Sequence, residues 1–165
     1  MTKLLIKVSI ILIIAVVIYF TVNQTTEIVD IGDKAYNFRL ADVDNNQYEL
    51  ADYEGKVVVL NFFNTWCKPC IEEGPELENF HQEYQDIASL FIIDKGETNE
   101  QVRQYIEQYN YHATYLLDYD LNVSRAFKVV GQPETIIIDK DGIVREHIVG
   151  KIDKEKLVEL VSQYK

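Results

Sequence analysis

The chain has 165 residues, of which 47% are hydrophobic, and 16 basic against 27 acidic residues give it a formal net charge of −11. That length points to one compact domain, and that apolar fraction excludes wholesale disorder. The negative charge argues against a nucleic-acid binder, which needs a basic face for phosphates. Two cysteines are too few for a disulfide-stapled scaffold or a four-cysteine zinc site.

From Leu4 to Val22 the chain is almost wholly apolar, interrupted by Lys7, Ser9 and Thr21, and no acidic residue precedes Glu27. As a helix this stretch would cover ~28 Å, close to the ~30 Å hydrocarbon core of a bilayer. Between Thr21 and Ile31 there is no Ala, Gly or Ser to precede a signal cleavage and no cysteine for a lipoprotein anchor. The expectation is an uncleaved signal anchor over residues 1–26, with a transmembrane helix at about 4–22; a cleaved signal is the alternative. Lys3 and Lys7 would stay inside, placing the domain at 27–165 on the extracytoplasmic side of a bacterial cell membrane as a single-pass protein. Residues 1–26 hold two basic residues and no acidic ones, so the remainder carries −13. Such a domain should be soluble and repelled by anionic lipid except where tethered.

Tyr36 to Leu40 and Gln47 to Leu50 read as two short strands around an Asp42–Asn46 turn. Lys56 to Phe63 is a continuous run rich in β-branched and aromatic residues, as a central strand buried on both faces requires. A helix is expected from Pro75 to about Asp86, with Leu77, Phe80 and Tyr84 on one side, and a second buried strand from Ser89 to Ile93. Thr98 and Gln101 make a capping box for a helix reaching Tyr109, whose stripe is Val102, Tyr105, Ile106 and Tyr109. Thr135 to Ile138, the Asp139-Lys140-Asp141-Gly142 turn and Ile143 to Val149 predict an antiparallel hairpin. Asp153 caps a last helix with the stripe Leu157, Leu160, Val161 and Tyr164. Strand–helix–strand–helix followed by a hairpin and a helix is a mixed α/β sheet flanked by helices.

Trp66-Cys67-Lys68-Pro69-Cys70 comes directly after the strongest strand and opens a helix. A cysteine at a helix N-terminus faces unpaired N–H groups and the positive dipole end, both of which favour the nucleophilic thiolate. The second cysteine, one turn on, is placed to resolve a mixed disulfide. Lys68 adds a nearby positive charge, and Pro69 occupies the first turn, where a missing N–H costs little. Two other readings stay open. Half a zinc site lacks its second half, since His81, His112 and His147 stand far apart without ligand spacing. A structural disulfide closing so small a loop constrains the unfolded chain little.

The segment Asn61-Phe62-Phe63-Asn64-Thr65-Trp66-Cys67-Lys68-Pro69-Cys70 resembles the active-site strand and helix start of thioredoxin-fold proteins. In particular it resembles the membrane-anchored, extracytoplasmic thiol–disulfide oxidoreductases of the TlpA/ResA type that serve cytochrome c maturation. The resemblance runs from about Ile31 to Tyr164. Gly32, Phe38, Leu40 and Asp42 match the family's leading segment, Leu50, Gly55 and Lys56 precede the strand as they do there, and Gly131-Gln132-Pro133-Glu134-Thr135 matches the cis-proline loop. It implies a thioredoxin-like fold with a short N-terminal β extension. It further implies Cys67 as attacking thiol, Cys70 as resolving thiol, and Pro133 as a cis-proline facing them. Gln132 would offer its backbone to an extended client, with Trp66 and Glu134 beside it. Glu73 would act as general acid or base toward the cysteines, its pKa raised by desolvation; a solvated helix-face carboxylate beside Glu72 and Glu76 is the alternative. No cofactor or metal is implied. Implied partners are exported clients such as apocytochrome c and a membrane electron donor of the CcdA/DsbD type. The chain departs from common family residues at Lys68, Gly74, Phe63 and Tyr36.

Three rival functions share these residues. An oxidant inserting disulfides would run the same chemistry backwards. A peroxidase needs an arginine by its cysteine, and none lies near Cys67 in sequence. A copper-delivery protein on this fold would need a histidine beside two cysteines, and His147 is the one downstream histidine on an expected strand.

Overall fold

The computed structural model describes residues 10–16 and 27–165. Residues 10–16 are helical, and no helix among the described residues is long and apolar enough to cross a membrane. The rest of the expected span at 4–22 lies outside the described residues.

A small hairpin pairs β1 (Arg39–Ala41) with β2 (Gln47–Glu49). Asp42 holds its turn by accepting hydrogen bonds from Asp44 N at 2.8 Å and from Asn46 N and Nδ2 at 2.9 Å. The first strand starts later than expected, at Arg39, with Phe38 buried in the core and its carbonyl accepting from Leu50 N at 3.1 Å. The central sheet has β3 (Val57–Phe63), β4 (Ala88–Asp94), β5 (Thr114–Leu117), β6 (Glu134–Ile138) and β7 (Val144–Val149) in the order β5-β4-β3-β6-β7. β3 runs parallel to β4 and antiparallel to β6, so it sits in the middle with both faces covered. Its alternation sorts the core. Val57, Val59 and Phe63 face the helices α1 (Lys68–Tyr84), α2 (Asn99–Tyr109) and α4 (Lys154–Gln163); Val58, Leu60 and Phe62 face the leading segment and α3 (Asn122–Ala126). Asn61 is the polar break in the first of these faces.

α1 begins at Lys68, as the C-x-x-C predicts, and runs on unbroken into the helix expected from Pro75, which lies inside it. Pro75 has no N–H to give the Ile71 carbonyl, which predicts a kink or a restart there; the helix does not restart but continues to Tyr84. Leu77 and Phe80 are buried beyond Pro75, and the Glu78 carboxylate accepts from His112 N at 2.9 Å and Ala113 N at 3.1 Å, which fixes the second half of the helix. β5 and α3 were not anticipated, being four and five residues long and so too short for a periodic signal. α3 is held by the buried Asp118 carboxylate, which accepts from Val123 N, Ser124 N and Ser124 Oγ.

The capping box of α2 forms as expected. Thr98 Oγ1 accepts from Gln101 N at 3.3 Å, and Thr98 N donates to Gln101 Oε1 at 3.0 Å. Thr98→Ala should cost about 1 kcal/mol in urea unfolding; an unchanged midpoint would mean that the box does not support α2.

Candidate active site

β3 ends at Phe63, and the chain turns through residues 64–66 into α1 with Cys67 as the N-cap. Cys67 and Cys70 are joined in a disulfide, with Cα atoms 5.2 Å apart. The Cys67 sulfur accepts the Cys70 N–H at 3.3 Å, so the sulfur itself caps the helix. In the dithiol form the same N–H and the same dipole end favour the thiolate at Cys67. Both cysteines are largely buried, while Trp66 is 68% exposed beside them. The Gln132–Pro133 peptide is cis, Pro133 is buried, and the Gln132 carbonyl oxygen lies 3.7 Å from Cys67 Sγ. Once reduced, the Cys67 thiol has an acceptor at that oxygen.

Glu73 sits one helical turn beyond Cys70 and is 2% exposed. Its Oε1 accepts from Ile152 N at 2.7 Å and its Oε2 from Asn61 Nδ2 at 3.3 Å, and the same amide donates to Thr135 Oγ1 at 3.0 Å. Burial raises its pKa to about 7, against the pull of these two donors and of Lys151. It is not a solvated helix-face carboxylate; Glu72, its neighbour, is, pairing with Lys151 at 2.7 Å on the surface. Asn61 Oδ1 is buried with no partner. A half-turn of this amide would present that oxygen to a protonated Glu73, so Asn61 can meet either protonation state.

Glu134 is also buried, but it faces the loop instead of the sulfurs. Its Oε1 accepts from Gly131 N at 2.6 Å and Val130 N at 3.1 Å, and its Oε2 lies 2.6 Å from His147 Nε2. His147 is therefore engaged by a carboxylate. Among the described residues no group of three or more His, Cys, Asp or Glu side chains is arranged to hold a metal ion. The four arginines are likewise engaged away from the cysteines: Arg39 with Glu49, Arg103 with Val43 and Asp44, Arg125 with Asp120 and Asn122, Arg145 with Asp139.

Sequence reasoning missed Asp94, Lys95 and Glu97. The Glu97 carboxylate accepts from Thr65 N and Oγ1 at 2.6 Å each and from Asn64 Nδ2 at 3.1 Å, pinning the turn that delivers Cys67. Burial pushes Glu97 up, but these donors outweigh it and hold its pKa below the ordinary value. Asp94 goes the other way, to about 8, through burial and its hydrogen bond with Glu97. Lys95 donates to Gly131 O at 2.9 Å and Gln132 Oε1 at 3.3 Å. The available signal was a charged run, Asp94-Lys95-Gly96-Glu97, set directly at the end of an apolar strand.

Comparison with known proteins agrees with this geometry. A profile described as the AhpC/TSA family matches residues 31–147. The chain is 33% identical to the thiol-disulfide oxidoreductase ResA of Bacillus cereus over 98% of this chain and 96% of that protein. It is 32% identical to the ResA of Geobacillus kaustophilus over 94% of this chain and 92% of that protein. Among solved structures, the exposed lipoprotein thioredoxin of Streptococcus pneumoniae superposes with a TM-score of 0.71 at 25% identity, covering 77% of this chain and 98% of that one.

Because Glu73 and Asp94 have raised pKa values, the folded protein holds protons that the unfolded chain releases. Their stabilising contribution is complete below ordinary carboxylate values and is lost as pH rises through about 7 and 8. Thermal stability should therefore fall from about pH 5 to about pH 8, and Glu73→Gln should remove part of that fall, gaining up to roughly 3 kcal/mol at the alkaline end. Parallel melting profiles for the two proteins would refute this account of Glu73.

Proposed function

The chain belongs to the AhpC/TSA family, and within it to the ResA-type thiol–disulfide oxidoreductases, and on that premise we propose that it reduces disulfides in exported client proteins. The observation that carries this reading is the Cys67–Cys70 pair at the start of α1, facing the cis Gln132–Pro133 peptide, with the buried Glu73 carboxyl one helical turn from Cys70. A carboxyl whose pKa is raised to about 7 can take and return a cysteine proton near neutral pH.

In the proposed cycle the Cys67 thiolate attacks one sulfur of the client disulfide, and the other client sulfur leaves as a thiolate and takes up a proton. Cys70 passes its proton to Glu73 and attacks the Cys67 sulfur. The Cys67–Cys70 disulfide forms, and the client's second sulfur leaves as a thiolate that takes up the proton Glu73 received. A dithiol on a membrane donor of the CcdA/DsbD type then supplies two electrons to regenerate the pair. The client would lie as an extended strand against the Gln132 backbone, with the exposed face of Trp66 beside it. The proposed client is the haem-attachment C-x-x-C-H of an apocytochrome c, for which the resemblance of the segment around the cysteines to the TlpA/ResA type is the support.

The same reading places the domain outside the cell membrane on an uncleaved helix at about 4–22. Its support is the apolar run from Leu4 to Val22 behind Lys3 and Lys7. A domain of charge −13 gains no attraction from anionic lipid, so the anchor alone would hold it there.

Cys70→Ala should trap the client on Cys67 as a mixed disulfide, identifiable by mass spectrometry; cells making cytochromes c that yield no thiol-linked partner would count against the reading. The reduction potential of the pair should lie below roughly −200 mV, and a value near about −120 mV would mark an oxidant instead. Full-length protein should sediment with membranes, and a chain starting at residue 27 should not; membrane retention of the shortened chain would refute the anchor.

A further inference from the structure

Gln132 is poised against Cys67 by a loop that has no regular secondary structure of its own. Two oppositely charged side chains hold that loop. Glu134, the first residue of β6, accepts the N–H of Gly131 and of Val130. Lys95, the first residue beyond β4, donates to the carbonyl of the same Gly131 and to the side-chain oxygen of Gln132. One residue thus has its N–H on a carboxylate and its C=O on an ammonium. Each jaw is rooted in a strand paired with β3, β4 on one side and β6 on the other, and β3 is the strand that leads to Cys67. His147 of β7 steadies the acidic jaw from behind.

We propose that Lys95 and Glu134 form a charged clamp on the Gly131 peptide, which makes Lys95 a positioning residue for client recognition. It acts through the loop, not on the sulfur. Strand pairing to a client requires the Gln132 backbone groups in a fixed direction, whereas a small disulfide requires only access to the sulfur. Without the ammonium, Gly131 O and Gln132 Oε1 lose their donor. Val130, 89% exposed at the outer end of the loop, offers no replacement hold.

The inference rests on the proposed pairing of clients at Gln132, and the test separates the two. Full-length protein is reduced and freed of reductant. Its exchange rate is then measured with a disulfide peptide bearing flanking residues, the same peptide without flanks, and a small aromatic disulfide. Lys95→Met, which removes both Lys95 hydrogen bonds, should slow the flanked peptide by about tenfold and the aromatic disulfide by less than about twofold. Lys95→Arg, which keeps charge and donors, should recover most of the loss. Equal slowing of every substrate, no slowing of the flanked peptide, or an Arg variant as slow as the Met variant would each overturn the clamp alone. A wild-type rate indifferent to the flanks would overturn the pairing at Gln132 and the clamp with it. Glu134→Gln tests the second jaw if Lys95→Met folds poorly. The double variant should be no slower than the slower single one, because both jaws hold one loop; losses that multiply would overturn the shared role.

Discussion

The Cys67 sulfur caps the helix that it starts, and the candidate site depends on that contact. A helix N-terminus has N–H groups without partners, and a sulfur that takes one of them is held at the point where a negative charge is best tolerated. The contact needs a fixed approach. β3, buried on both faces, supplies it, and the turn after β3 is tied down by three hydrogen bonds to Glu97. The reactive atom therefore stands at the joint of the most enclosed strand and the longest described helix.

Around that joint a domain of charge −13 keeps several carboxyl groups out of water, and each is accommodated differently. Glu97 collects enough donors to stay ionised. Asp94 does not, and holds its proton. Glu134 is placed between backbone amides and a histidine ring. Glu73 has two donors and an adaptable amide, which leaves it close to balance between its two forms. Surface ion pairs such as Lys156–Glu159 contribute little beside these, since solvent screens them.

What could be read from sequence was what is local. The run at β3, the C-x-x-C, the Thr98–Gln101 box and the Asp139–Gly142 turn are each set by residues within a few positions of one another. Glu73 and Glu134 came only through resemblance to a family, because nothing near them in sequence tells a buried carboxyl from a solvated one. Their partners lie far along the chain: Ile152 is 79 residues from Glu73, and Lys95 is 36 from Gly131. His147 is a copper-ligand candidate by sequence, and its pairing with Glu134 follows only from the β6–β7 ladder. The start of α1 was legible from the C-x-x-C and Pro69 and not from periodicity, since its first turn carries cysteines and a proline in place of an apolar stripe.

Pro75 has a mechanical consequence. Lacking the N–H that would tie it to the Ile71 carbonyl, it leaves a seam in the ladder of α1. Upstream of the seam lie both cysteines and Glu73; downstream lie Leu77, Glu78 and Phe80, packed into the core and bonded to the segment before β5. A helix bends most readily where a rung is missing. The seam divides α1 into a short piece that carries the reactive residues, moored through Glu73 to Asn61 and Ile152, and a longer shaft moored through Glu78 to the segment before β5.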